Sequence, residues 1–390
     1  MALDPVIQEF QDLIEGDIEI FVAFGQMFDQ VPKGPPYDKD PRGQPAIGDY
    51  KAMLQSFNKI LTTAPIFEPN DFVGFPINAI LNWVMGTPAG YTAFTNPKVI
   101  KQFKKMFHVW SAFLSSPESR HVLNDNATDG WFGDAASKVI PNFAETFVCD
   151  PDVPFYGYQS WDDFFTRKFR PGVRPFEFPD NNAIINSACE STVYRIVPNV
   201  AFNKKFWLKG QPYSLENMLN DDPLAPQFSG GTVYQAYLAA INYHRWNSPV
   251  NGTVVKIVQV PGAYYAACTA VGFDPSSQCL SQAFLTAVAT RALIFIQADH
   301  PRIGLMCFMA VGMADVSTCE VVVGQGQRLK KGDEIGMFHY GGSTHCLIFR
   351  PDTKIMFSPD YERRLRIRSH AWCYRVLISR IDAYCNKCVW

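Results

Sequence analysis

The stretch Lys331-Gly332-Asp333-Glu334-Ile335-Gly336-Met337-Phe338-His339-Tyr340-Gly341-Gly342-Ser343-Thr344 sets two glycines before a serine, between apolar runs. A serine so placed can attack the carbonyl before it, here that of Gly342, to give an ester. β-Elimination from that ester cuts the chain, and hydrolysis of the resulting dehydroalanine, with release of ammonia, leaves a pyruvoyl group on residue 343. An α-keto group of this kind condenses with a primary amine and acts as an electron sink, as a pyridoxal ring does. Gly-Gly-Ser is also ordinary turn chemistry, so the rest of the chain must decide between the two readings.

With 390 residues and 47% hydrophobic content, the chain is long enough for two domains and a sizeable core. Its 35 basic and 37 acidic residues leave a net charge of −2. That balance argues against a nucleic-acid footprint or a polybasic membrane patch. Met1-Ala2-Leu3-Asp4-Pro5 has neither a basic n-region nor an apolar core, and the apolar stretch Ile303 to Met313 is too short to span a bilayer. A cytoplasmic protein without a membrane span is expected. The ten cysteines follow no small-scaffold framework and suit reduced thiols. Cys385-Asn386-Lys387-Cys388 has half-site spacing, but no second pair or nearby histidine completes a zinc site, and no metal is expected.

The first 150 residues read as helical. Asp4 can cap a helix with Pro5 in its first turn, and Val6, Phe10, Leu13, Ile14, Ile18 and Phe21 follow at helical spacing. Val99, Phe103, Met106, Phe107, Trp110 and Leu114 form a clearer stripe, with Lys101, Lys104 and Lys105 largely on the other face. From Cys149 the texture changes. Asp150-Pro151-Asp152-Val153-Pro154 marks a linker, and β-type runs dominate afterwards: Ile184-Ile185, Val193 to Val197, Thr232 to Tyr237, Thr253 to Val260, Ala292 to Gln297, Ile303 to Val311 and Cys319 to Val323. The expected class is α+β, with a helical domain over 1–150 and a β-rich domain over 151–390 holding few helices beyond Leu215 to Leu219.

Five ordered motifs then resemble the phosphatidylserine decarboxylase family of pyruvoyl enzymes. They are Trp161-Asp162-Asp163-Phe164-Phe165 with Arg167 and Arg170-Pro171-Gly172-Val173-Arg174-Pro175; Lys209-Gly210 with Tyr213-Ser214-Leu215; Tyr243-His244-Arg245-Trp246 with Ser248-Pro249-Val250-Asn251-Gly252; Lys331 to Gly336 with Phe338; and Gly342-Ser343-Thr344. The N-terminal part, on Pro5 to Phe28, Gly90 to Phe94 and Phe113 to Arg120, is similar to the branch that includes fungal L-tryptophan decarboxylase. The resemblance implies a decarboxylase with Ser343 as the precursor of its pyruvoyl cofactor and Gly342 carrying the carbonyl that is attacked. It also implies a small-molecule amino-acid substrate, aromatic by the branch; oligomeric state stays open. Decarboxylation of phosphatidylserine to phosphatidylethanolamine is the alternative within the family.

The chain departs from the family where a base is needed. Many members read His-Arg-x-His before Ser/Met-Pro, the second histidine looking like the maturation base and the first assisting decarboxylation. Here His244 is present but Asn247 occupies the second position, and an amide is no base near neutral pH. The acidic partner of a Pro-x-Asp-Gly strand end is replaced by Glu190 in Ala188-Cys189-Glu190-Ser191. His244, His339 or His345 could take over as base; without one, the chain would keep the fold as a non-cleaving pseudoenzyme. Tyr361 to Trp390, basic and aromatic, also departs from the family pattern and has no assigned role.

Overall fold

The computed structural model describes residues 2–68, 75–202, 213–275, 278–315 and 318–357, together with the backbone of 377–380. Lys209-Gly210, His370 and the Cys385/Cys388 pair lie outside the described residues.

Helices fill the N-terminal part: α1 (Pro5–Gly16), α2 (Ile18–Asp29), α3 (Tyr50–Ile60), α4 (Pro76–Met85), α5 (Pro88–Thr95), α6 (Pro97–Leu114), α7 (Asp134–Val139), α8 (Phe143–Thr146) and α9 (Trp161–Phe165). The apolar spacing from Val6 to Phe21 reads as one helix but forms two. Asp17, extended at φ −120°, ends α1 and caps α2 by accepting from the amides of Glu19 and Ile20, a donor-satisfying role that aspartate fills well. Ile18 and Phe21 are consequently exposed. In α6 Asn96 caps and Pro97 opens the first turn, while Val99, Phe103, Met106, Phe107, Trp110 and Leu114 are buried. Each such side chain contributes about 1.5–3 kcal/mol of burial.

The remainder is built on antiparallel strands, with α10 (Leu215–Met218) and α11 (Gln282–Val288) packed beside them. The strands are β1 (Ile184–Asn186), β2 (Thr192–Val197), β3 (Thr232–Leu238), β4 (Arg245–Asn247), β5 (Gly252–Val260), β6 (Arg291–Ala298), β7 (Leu305–Met313), β8 (Cys319–Val321), β9 (Arg328–Leu329), β10 (Glu334–Phe338), β11 (Gly342–Phe349) and β12 (Leu377–Arg380). A seven-stranded sheet runs β2-β3-β11-β7-β6-β5-β9, a three-stranded sheet β4-β10-β8, and β1 pairs with β12. Part of the unassigned tail is therefore a strand, and the expected α+β class holds. Short strands β4, β9 and β10, and the helix α11, were not legible in the sequence.

The Gly341 to Thr344 segment reads as a turn, yet only Gly341 is one, at φ 145°, and Gly342 already opens β11. Residues 343–349 pair on both sides, with β3 and with β7, and Gly342 pairs with Met313 of β7. The turn signal of the glycines ended one residue too late because Gly342 serves close packing instead. A Cβ there would lie 2.8 Å from the Met313 carbonyl oxygen.

Both faces of the large sheet are covered. On one, Leu347, Phe308 and Ile294 pack with Trp246, Ile335 and Phe338 of the small sheet. On the other, Ile348, Met309 and Leu293 pack with Leu215, Met218, Phe284 and Leu285. The helical part does not stop at the linker. Its core takes in Tyr243, Tyr264, Tyr265, Ala314 and Tyr340, so helices reach the segment just before β11.

Candidate active site

Strand alternation puts Ser343 and His345 on one face of β11 and Thr344 on the other. Thr344 is satisfied: its hydroxyl donates to the Ala236 carbonyl at 2.9 Å and accepts from the Gln235 amide at 3.2 Å. Ser343 and His345 are not. Both are fully buried, and neither the Ser343 hydroxyl nor either ring nitrogen of His345 has a hydrogen-bond partner. Buried polar atoms in folded proteins are nearly always paired, so three orphans at i and i+2 on one strand single out this face as a candidate site. Burial among Phe308 and Tyr234, whose rings lie 5.9 and 6.0 Å from the imidazole, pushes His345 down to about 3. It is therefore neutral at physiological pH and keeps a lone pair available.

The segment entering β11 is clamped by aromatics. Tyr340 is fully buried, with ring centres 4.5 Å from Trp161, 5.5 Å from Trp110 and 5.5 Å from Phe165. Phe165 in turn stacks on His244 at 4.0 Å. His244 is also fully buried with both ring nitrogens unpartnered, and burial, aided by the nearby Arg167 guanidinium, holds it well below its usual value. Arg167 fixes this strand entrance by donating to the carbonyls of Ile241 and Asn242 at 2.6 and 3.2 Å, with its own charge over the Phe147 ring at 4.5 Å. The tryptophan-aspartate-phenylalanine motif and Arg167 thus position His244 through one aromatic and one guanidinium.

Glu190 and Asn247 sit together in a small recess with Tyr243 and Arg174. The Tyr243 amide donates to Glu190 at 3.3 Å, and Arg174 pairs with it at 3.4 Å. The Asn247 side-chain amide donates to the Gly332 carbonyl at 2.9 Å. Ser343 is not among the residues lining that recess. Gly332 itself needs its glycine, at φ 97° and with the Phe176 ring where a Cβ would stand.

His339 faces elsewhere. Its Nδ1 meets Asp162 at 3.0 Å and its Nε2 meets Glu320 at 2.7 Å. Burial disfavours its charge, but the two carboxylates prevail and raise it to about 9. With both ring nitrogens engaged by carboxylates and its charged form favoured near neutral pH, His339 is poorly suited to accept a serine proton. It forms part of the wall of a cavity of about 930 Å³ beside α6, with Phe107 and Tyr264. The sequence reading missed Phe165 as a neighbour of His244 and Tyr340 as a neighbour of Phe165, since nothing in their spacing distinguishes them from core aromatics.

Comparison with known proteins adds to this geometry. Residues 4–140 and 161–369 match two family models, both described as phosphatidylserine decarboxylase. The chain is 43% identical over 305 residues to decarboxylase iboD of Amanita muscaria, covering 74% of this chain and 87% of that protein. It is 37% identical over 371 residues to L-tryptophan decarboxylase of Psilocybe cubensis, covering 89% and 81%. Phosphatidylserine decarboxylase proenzyme 3 of Schizosaccharomyces pombe is 32% identical over 217 residues, 55% of this chain and 21% of that protein. On these matches and its motifs, the chain belongs to the phosphatidylserine decarboxylase family and is a decarboxylase.

Proposed function

We propose that this protein is a pyruvoyl-dependent decarboxylase of a free amino acid with an aromatic side chain, matured by cleavage between Gly342 and Ser343. The observation that carries the reading is the buried, unpartnered Ser343 hydroxyl at the start of a central strand, with unpartnered, neutral His345 on the same face. The lack of room for a Cβ at Gly342, which would lie 2.8 Å from the Met313 carbonyl oxygen, supports a strand start held closely in place.

The division of labour follows from the side chains. His345 accepts the Ser343 hydroxyl proton as the serine oxygen adds to the Gly342 carbonyl. Glu190, held by Arg174 and the Tyr243 amide, orients the strand that carries His244 and Asn247. His244, neutral and unpartnered behind Phe165, is the other histidine available to hold a proton in the later decarboxylation. A pyruvoyl group formed at 343 would supply a carbonyl electron sink for an amine substrate.

An amino-acid substrate is favoured by the names of the relatives that cover most of the chain. The cavity beside α6 is not lined by Ser343, His345 or His244, so the aromatic side chain rests on the relatives' names alone. Among the described residues no helix is long and apolar enough to cross a membrane. The reading includes a cytosolic location and the two-domain division at residue 150.

Intact mass and a denaturing gel test maturation, and carbon dioxide release from tryptophan, other amino acids and phosphatidylserine vesicles tests substrate. Two fragments meeting at 342/343 and release from tryptophan are expected. Release from phosphatidylserine alone would transfer the protein to the lipid reading. An uncleaved chain would make it a pseudoenzyme, the outcome that Asn247 raises.

A further inference from the structure

The end of β7 carries a buried acid that the reading above leaves unused. Met313 is registered opposite Gly342. The next two residues, Ala314 and Asp315, both have left-handed backbone, at φ 58° and 34°, a conformation that costs energy for residues with a Cβ and tends to collect at functional places. The Ala314 amide is tied to the Tyr264 carbonyl at 2.9 Å.

Asp315 is fully buried. One of its carboxyl oxygens accepts from the Tyr265 hydroxyl at 3.2 Å, and Oδ2 has no partner. The first-turn amides of α4 at Ile77 and Asn78 favour its charged form, as does Arg42 from the loop before α3. Tyr340 feels the charges of Asp315, Glu68 and Arg42 together. A carboxyl held by the helical part therefore lies two residues beyond the strand partner of Gly342 and within electrostatic reach of Tyr340, in the segment that enters β11.

We propose that Asp315 is a positioning residue for self-cleavage: joined to Tyr265 and the start of α4, it fixes the strand end opposite Gly342, and on ionising it opposes the negative charge that develops on the Gly342 oxygen. This rests on the pyruvoyl reading. In the step concerned the bond from Ser343 Oγ to the Gly342 carbon forms and the Gly342–Ser343 amide bond breaks. The hydroxyl proton passes to the departing amino nitrogen, so no further reagent is required.

Burial pushes the Asp315 carboxyl up to about 7, against the pull of Tyr265, the α4 amides and Arg42. The neighbouring groups leave that window largely clear. Burial holds His244 and His345 neutral through it, His339 titrates near 9, and Tyr265 and Tyr340 are raised well above 10. Burial also raises Glu68, which is why the test turns on Asp315 itself.

Pulse-chase synthesis of the full chain in a cell-free translation buffered from pH 6 to pH 8 reads cleavage directly on a denaturing gel. Wild type is expected to cleave on the order of tenfold more slowly at pH 8 than at pH 6, the effect of one nearby charge in a partly screened interior. Asp315→Asn should cleave with no such slope. Tyr265→Phe, which removes a donor to the carboxylate, should move the midpoint to higher pH and serves if Asp315→Asn does not fold. A slope unchanged in both variants overturns this proposal alone. No cleavage of wild type at any pH overturns it together with the pyruvoyl reading.

Discussion

Gly342→Ala is the smallest change that separates the attack geometry from the chemistry of the serine. An added Cβ would stand 2.8 Å from the Met313 carbonyl oxygen and 3.3 Å from its Cγ, against ordinary contacts that begin at 3.4 Å. The oxygen is backbone in a paired strand and cannot swing aside as a side chain would. The start of β11 must therefore move by roughly 0.6 Å, the gap to that ordinary contact. Overpacking of this kind costs about 1–3 kcal/mol, a loss of a few degrees in Tm. The effect on reaction is larger, because a displacement of about 1 Å at a reacting centre can cost on the order of a hundredfold. We expect cleavage slowed roughly tenfold or more in a folded protein, followed by intact mass over time with thermal melting in parallel. Cleavage at the wild-type rate, with the melting loss present, would refute the reasoning that links this close approach to attack on the Gly342 carbonyl.

Three further outcomes follow from the same geometry. His345→Gln keeps the volume and loses the base, so cleavage should slow by about tenfold to a hundredfold with the fold intact by circular dichroism; an unaffected rate would eliminate His345 as proton acceptor. Asn247→His should leave the rate of fragment formation within about twofold, since residue 247 lines the Glu190 recess and Ser343 does not; a large gain would make position 247 the limit on maturation. His339 is raised to about 9 in the fold by Asp162 and Glu320, above an unfolded value of about 6.5. It contributes stability that is full below about 6.5 and lost as pH rises through about 9, up to about 3 kcal/mol. Thermal melts from pH 6 to 10 should show that decline in wild type and its absence in His339→Gln.

Much of the fold was legible where one period dominates. The α6 stripe and the long strands β5, β6 and β7 carry uninterrupted patterns, and each formed near its expected bounds. The break at Asp17 was not legible, because helical spacing continues straight through it while the cap is a single side chain. β10 was hidden by Gly336, which reads as punctuation but is required by the Glu320 carbonyl and the Trp246 ring lying 2.2 and 2.5 Å from where a Cβ would be. For the candidate site, the motifs name Ser343, Gly342, Glu190 and His244, of which Glu190 lies in a recess that Ser343 does not line. That His345 is neutral and His339 charged could not be read from motifs, since the difference arises from Phe308 and Tyr234 around one and two carboxylates around the other. Asp315 ends an apolar strand like many surface acids, and only its burial sets it apart.

The position of β11 between β3 and β7 decides what a cut at its first residue would leave behind. Breaking the Gly342–Ser343 bond severs the chain but exposes no new sheet edge. The downstream piece stays laced to both flanking strands by the full ladder from residue 343 to 349, and Tyr340 stays locked among the helical aromatics on the upstream side. Maturation would thus convert one polypeptide into two that behave as a single rigid body, copurifying under native conditions and separating only when the sheet itself is dissolved.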